Sequence, residues 1–370
     1  MLLGGNVVDK RQIGPAMIKQ KLEKQLKPCK VLYTLSVCLL AVLASAIPSH
    51  GTELTDMFGR QFSIPDRPQK VYSPSPPITN LLYAIDPVMI AGLTVPIREH
   101  EKPYLRKEMQ LLPVLGGWFG VGNVPNLEMI LKINPELIIT WKRTSAVNVK
   151  VDQTLKTMPI PVISLTLDTI WDYPAAFLYL GKLLGREARG DELAAYARRT
   201  LSEMKELAAP QSAKKKVLVY YAEGVDGLST ECHSSLHAEL IPLAGGYNVH
   251  RCQERNPMGM EKISFEQVML HNPDVILVME NVFYKSVFSD PRWQRIKAVK
   301  NKKVYLIPNQ PFNWFDRPPS FMRLLGAKWL ANILYPERYH ANMVKETQEF
   351  FKLFLGIDLN AREAKAVLRQ

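Results

Sequence analysis

Residues 309–320 read NQPFNWFDRPPS, so two phenylalanines, a tryptophan, an aspartate and an arginine share one proline-rich stretch just after the apolar run 304–307. Proline fixes φ and withholds a backbone donor, so a buried strand followed by such a stretch is expected to open into a stiff loop. At the carboxyl end of a strand, where α/β sheets bind ligands, Phe312 and Trp314 would offer ring faces and Arg317 a charge. The same residues also read as a cap on the sheet, with Arg317 paired to Asp316. A second set with chemical potential is Cys232, His233, His237, His250 and Cys252. Two histidines at i, i+4 on an expected helix, with cysteines nearby, could bind Zn²⁺ or Ni²⁺ and serve an exported metal-dependent hydrolase. The competing reading joins Cys232 to Cys252 in a disulfide, which removes the best ligands.

Other catalytic signatures do not occur. The chain has no G-x-S-x-G, H-E-x-x-H or G-x-x-x-x-G-K-[ST]. Its GGWFGVGN stretch at 116–123 misses the dinucleotide-binding spacing and does not directly follow a strand. The reading is therefore a binding protein rather than an enzyme. With 370 residues, 47% hydrophobic and 22% charged, the chain is globular in composition and long enough for two domains. Of its formal charge of +12, the first 46 residues carry seven Lys/Arg against two Asp/Glu, which leaves a moderate +7 on the rest. No basic run with interleaved aromatics follows, which argues against nucleic acid and leaves an anionic ligand or a membrane-surface partner.

That basic amino end has the form of an export signal. Lys19, Lys21, Lys24, Lys27 and Lys30 precede a thirteen-residue apolar-dominated run, 31–43, and Ala44-Ser45-Ala46 supplies an A-x-A cleavage site. The run falls short of the ~20 residues a spanning helix needs. Met17 is a candidate start, because residues 1–16 add nothing to such a signal. The expectation is a soluble periplasmic product cleaved after Ala46. In that oxidising compartment the retained pair Cys232 and Cys252 favours the bridge.

The elements that must position these groups alternate in type. VMIAGLT at 88–94, LIITW at 137–141 and VISL at 162–165 read as buried strands separated by helical periodicity, and a second series follows with KVLVYYA at 216–222, VILVM at 275–279 and VYLI at 304–307. Between the series, Leu193, Ala194, Ala197, Leu201, Met204 and Leu207 recur at helical spacing after Gly185 and before Pro210. One long helix over 186–209 is expected there. The series also echo each other: NLEMILKINPELII at 126–139 matches SFEQVMLHNPDVIL at 264–277. Each places Glu near a helix start, Asn-Pro-acid after it, and then a strand. The fold class expected is α/β: two Rossmann-like lobes joined by one long α-helix, with a ligand cleft between them. The N-terminal lobe spans 47–185, and the C-terminal lobe with C-terminal helices spans 210–370.

In this order the motifs resemble the substrate-binding proteins of ABC importers for ferric siderophores, haem and cobalamin. The carriers are FGRQFSIPDRPQKVYSPSPP, the two repeated segments, LAGGYNV, and WFDR after the last strand, over about residues 52–340. NWFDRPPS is similar to a tryptophan-bearing ligand loop of the cobalamin and iron- or nickel-chelate branch, although Asn313 stands where cobalamin binders have Asp. The resemblance implies a monomeric subunit serving an ABC permease and its ATPase, with no resident cofactor and a metal chelate as transported ligand. It implies cleft-lining residues His100, Trp118, Phe119, Arg143, Tyr221, Met260, Phe312, Trp314 and Arg317, with Ser73, Ser75, Lys142 and Met258 nearby. Aromatic faces and cations together suit a macrocycle or catechol chelate with negative charge. Singly, Trp118 also reads as core, Lys142 as a solvated charge, and the methionines as gap fillers. Glu128 and Glu266 are implied to dock permease arginines, one per lobe, and helix-dipole stabilisation accounts for them as well.

Overall fold

The computed structural model describes residues 52–117, 125–142, 153–155, 157–209, 215–253 and 259–369. The expected export signal at 1–46 lies outside them. An antiparallel hairpin of β1 (Thr52–Thr55) and β2 (Gln61–Ile64) opens the described chain. The first lobe is a parallel sheet of β3 (Val71–Tyr72), β4 (Leu137–Trp141) and β5 (Val162–Leu165), in that order. Every residue of β4 is buried, as expected for a strand covered on both faces. Helix α1 (Pro76–Ile85) follows β3, and α2 (Leu127–Ile133) leads into β4. The expected strand at 88–94 is reduced to two isolated parallel bridges, Val71↔Ile90 and Leu93↔Val114. Pro87 opens a 3₁₀ turn over Pro87–Met89, which takes up the start of that run.

Helix α3 (Tyr173–Leu183) closes the first lobe and α4 (Glu187–Ala208) is the linking helix, 22 residues or about 33 Å long. Between them Gly185 takes a left-handed φ of +62°, and Arg186 N–H reaches Gly181 O at 2.7 Å. A Cβ on Gly190 would lie 2.9 Å from the Gly181 Cα, so these two glycines let α3 and α4 touch backbone to backbone. The stripe Leu193, Ala194, Ala197, Leu201, Met204 and Leu207 is buried as its spacing requires.

The second lobe is a four-stranded parallel sheet in the order β11-β10-β6-β8, built from β6 (Leu218–Ala222), β8 (Tyr247–Asn248), β10 (Val275–Val278) and β11 (Val304–Leu306). A short antiparallel ribbon of β7 (Ser229–Thr230) and β9 (Glu261–Lys262) sits beside it. With the Ile90 bridge counted as a rudimentary second strand, both lobes carry the order 2-1-3-4, the physical content of the sequence echo. The repeated unit is also built alike. Asn126 Oδ1 accepts from Met129 N–H at the start of α2, and Ser264 Oγ accepts from Gln267 N–H at the start of α5 (Phe265–His271). Each helix stops at an Asn in the left-handed region, Asn134 at φ 51° and Asn272 at φ 38°, ahead of the proline that bars continuation.

Helix α6 (Met322–Leu334) packs on the linking helix, and the chain then departs from the expected lobe boundary. After α7 (Met343–Phe350), residues Phe351–Leu355 return to the first lobe before α8 (Ala361–Val367). Tyr83 donates its hydroxyl to Leu355 O at 2.8 Å, and Phe354 packs on both Phe177 and Tyr196. This apolar C-terminal segment finds its partners on the first lobe and the linking helix, so it ties the lobes together instead of extending the second one.

Candidate functional site

The carboxyl ends of the second sheet deliver charge into one place. Glu223 follows β6 directly, Glu280 comes two residues after β10, and the loop after β11 carries Asp316 and Arg317. The Arg317 guanidinium is 19% exposed. Its Nε donates to Glu223 Oε1 at 2.8 Å, and an Nη donates to Glu231 Oε1. Asp316 stands farther off at 3.6 Å, so the expected neighbouring pair is present but joined by two closer carboxylates from elsewhere in the lobe. Glu223 and Glu231 are fully buried, and Glu231 is itself held by Ser235 Oγ at 2.9 Å and Met260 N–H at 2.8 Å. Gly259, at φ +70°, lets the backbone approach this carboxylate; a Cβ there would lie 2.2 Å from Glu231 Oε1.

Burial pushes the Glu223 carboxyl up to about 8, against the opposing pull of Arg317 and with the help of the Glu231 charge. Burial likewise raises Glu280. For Arg317 burial works against the charge, but Glu223, Asp316 and Glu231 outweigh it and hold the guanidinium protonated above its ordinary range. Asp316 pairs with His237 Nδ1. Glu223 Oε2, Asp316 Oδ1, Glu280 Oε2 and His237 Nε2 are buried without partners among the described residues. The site is a preorganised cation ringed by acids with spare acceptors.

The aromatic part of the loop is built differently from expectation. Trp314 is wholly buried, its indole N–H donates to Gln310 O at 3.0 Å, and its own backbone oxygen lies against Gly326 of α6, where a Cβ would sit 2.0 Å away. It is the peg around which the loop rolls, not an open ring face. Asn313 Oδ1 completes the turn by accepting from Phe315 N–H and Asp316 N–H. Tyr221 is also fully buried, with its hydroxyl on Met279 Sδ at 3.7 Å and its ring 4.9 Å from Phe315. Phe312 is half-buried against Phe321, whereas Met260 is 40% exposed beside Glu231.

In the first lobe, Ser73 and Ser75 lie buried at the end of β3. Gly117 approaches so closely that a Cβ would be 2.5 Å from Pro74 O, so the 73–75 and 116–117 segments meet. Lys142 follows β4 with its ammonium 4.5 Å over the Phe58 ring. His100 is exposed in a turn and joins none of the described contacts around Arg317. Trp118, Phe119, Arg143 and Met258 lie outside the described residues.

The Cys/His set divides. Cys232 and Cys252 form a disulfide with Cα atoms 5.4 Å apart. The expected helix carrying His233 and His237 is a turn followed by a 3₁₀ turn, Leu236–Ala238, because Ser235 Oγ accepts from His237 N–H and caps it. His233 therefore rests beside Cys232 while His237 turns to Asp316, and His250 pairs with Glu261 at 3.1 Å. That separation, with both sulfurs consumed by the disulfide, removes the expected hydrolase site. Sequence reading also missed Glu223, Glu231 and Glu280. The available signal was an acidic residue placed directly after a buried strand, seen in YYAE and, one residue later, in LVME.

Glu128 and Glu266 are exposed, each the second residue of its helix. The Glu266 carboxyl is held below its ordinary range by backbone N–H and Ser264 donors at that helix start. Among the described residues no helix is long and apolar enough to cross a membrane.

Comparison with known proteins gives concordant results. The sequence pattern of a family described as periplasmic binding protein matches residues 118–311. An ABC transporter solute binding protein from Sulfurospirillum deleyianum is 40% identical with a TM-score of 0.81, over 86% of this chain and 99% of that one. The molybdate-binding protein MolA of Haemophilus influenzae is 26% identical over 88% of this chain and 96% of its own length. A vitamin B12-binding protein of Pectobacterium carotovorum is 25% identical over 57% of this chain and 71% of its own. No hydrolase stands among these relatives, and nothing in them supports that alternative.

Proposed function

The chain belongs to the periplasmic binding protein family, in the helix-linked class that serves ABC importers, and on that premise we propose that it captures an anionic metal complex and presents it to a membrane permease. The observation that carries the anion is Arg317, a partly exposed guanidinium fixed at the carboxyl end of a sheet by buried Glu223 and Glu231. Such a cation has little freedom left to lose when it takes a ligand, which favours binding. A chelate of iron, nickel or cobalt is the first reading, with the half-buried Phe312 and the exposed Met260 supplying apolar contact.

A compact metal oxyanion is the second reading. It is favoured by the burial of Trp314, which withdraws a wall that a flat macrocycle would use, and by the overall similarity to a molybdate-binding protein. In either reading the expected periplasmic location follows from cleavage after Ala46, and Glu128 and Glu266 are the points where permease arginines meet the two lobes. Fluorescence or calorimetric titration with a ferric siderophore, cyanocobalamin and molybdate tests this. One of the three should bind, and Arg317→Ala should weaken it at least about tenfold, or 1.4 kcal/mol. Binding of bare cations alone, or an affinity untouched by that substitution, overturns the proposal.

A further inference from the structure

We propose that the edge of the second sheet contains a site for a thiophilic divalent cation, formed by His250, Cys252, Glu261 and Cys232, which is available only while the Cys232–Cys252 bridge is open. A ring nitrogen of His250, the sulfur of Cys252 and a carboxylate oxygen of Glu261 all lie within 4.8 Å of one another. His250 Nε2 and Glu261 Oε2 are 3.1 Å apart, close to the edge of a zinc tetrahedron, roughly 3.3 Å for bonds of 2.0–2.1 Å. Glu261 Oε1 is buried and has no partner among the described residues. The sulfur of Cys232 adjoins Cys252 as a fourth donor, with the Cα atoms only 5.4 Å apart.

Backbone pairing fixes these groups independently of the bridge. Glu261 is held opposite Thr230 in the β7–β9 ribbon, two residues from Cys232. His250 follows β8, and its carbonyl accepts from His233 N–H at 3.0 Å. Glu231 turns to Arg317 while its neighbour Cys232 turns to Cys252, so this site does not share its donors with the anion site. Two thiolates, an imidazole and a carboxylate form a donor set suited to Zn²⁺ and its softer neighbours, not to Mg²⁺ or Ca²⁺.

Opening the bridge requires a dithiol reductant. It transfers two electrons and two protons to the S–S bond, becomes a disulfide itself, and leaves two thiols. The cation then displaces both thiol protons to solvent as the metal–sulfur bonds form. Bridge and metal thus exclude each other.

Anaerobic calorimetric titration with Zn²⁺ of oxidised protein, and of protein reduced by a dithiol that is then removed, tests the proposal. The reduced chain should take one Zn²⁺ at least ~100-fold more tightly than the oxidised chain, and His250→Gln or Glu261→Gln should each weaken that site at least ~10-fold. Co²⁺ in its place should show thiolate-to-metal absorption, and Zn²⁺ should slow reoxidation. Equal affinity in the two redox states, indifference to both substitutions, absence of the thiolate band, or loss of native circular dichroism on reduction each overturns it.

Discussion

The two lobes share a strand order and a repeated helix–Asn-Pro–strand unit, yet their strand ends carry opposite kinds of chemistry. The first lobe ends β3 in Ser73-Pro74-Ser75 and enters α1 through Pro76 and Pro77, which withhold two N–H donors just where a helix would otherwise cradle an anion. The second lobe ends its strands in Glu223, Glu280 and the Asp316-Arg317 pair. At corresponding strand ends, β3 therefore gives buried hydroxyls where β6 gives a buried carboxylate, and β4 is followed by Lys142 where β10 is followed by Glu280. Duplicated folds diverge where the backbone is least constrained, at loops after strands, while the packing unit is retained.

The sharpest way to break this contrast is to remove the charge. Arg317→Ala leaves the buried Glu231 carboxylate without its counter-ion and takes a donor from Glu223, and breaking such a buried pair costs about 3–5 kcal/mol. Ser75→Ala in the first lobe removes a buried hydroxyl that has no partner among the described residues, so the change should stay within about 0.5 kcal/mol. Urea unfolding of both variants measures the difference; equal losses would mean that the lobes are not chemically distinct in this way.

The packing unit was legible in the sequence because it depends on local signals. Strands at 137–141 and 162–165 match their apolar runs to the residue, and the linking helix falls one residue inside its expected bounds at each end, since caps and periodicity are written locally. The charge cluster was not legible, because Arg317 meets Glu223 and Glu231 across 94 and 86 residues. Trp314 was misread for a related reason. Its ring is buried by contacts with α6 and its own loop, and a Trp in a proline-rich stretch has the same local pattern whether it faces in or out. The run at 88–94 has strand composition, but Pro87 and close packing at Gly92 against Leu115 confine it to single bridges.

A smaller effect separates the lobes by pH. Among the described residues, the two carboxyls raised by burial, Glu223 and Glu280, both belong to the second lobe. Glu223 titrates at about 8 when folded and near the ordinary ~4.3 when unfolded, so between these values the folded chain keeps a proton that the unfolded chain releases. Stability from this group is therefore present at low pH, declines as pH rises through the window, and levels off above about 8. Glu223→Gln should flatten the fall measured by thermal or urea unfolding between pH 5 and 8 by up to about 3 kcal/mol, since one proton changes stability by ~1.4 kcal/mol per pH unit. An unchanged slope would place the proton elsewhere.

A small stability effect should also come from the pair of positions at which the lobes are alike. Glu128 and Glu266 each stand second in a short capped helix, exposed, and each is flanked by partly exposed apolar side chains such as Leu127, Met129 and Phe265. A carboxylate in a first helical turn contributes about 0.3–1 kcal/mol, so Glu128→Gln or Glu266→Gln should barely shift unfolding, whatever else the residue does. Docking has a different signature: charge reversal to Arg at either position should leave solute affinity intact and lower uptake through a reconstituted permease, chiefly by slowing association. If both lobes dock, the two reversals should have similar effects, and reversal of a permease partner should restore one of them. Undiminished uptake with both positions reversed would reduce these glutamates to helix stabilisers and leave the likeness of the lobes purely structural.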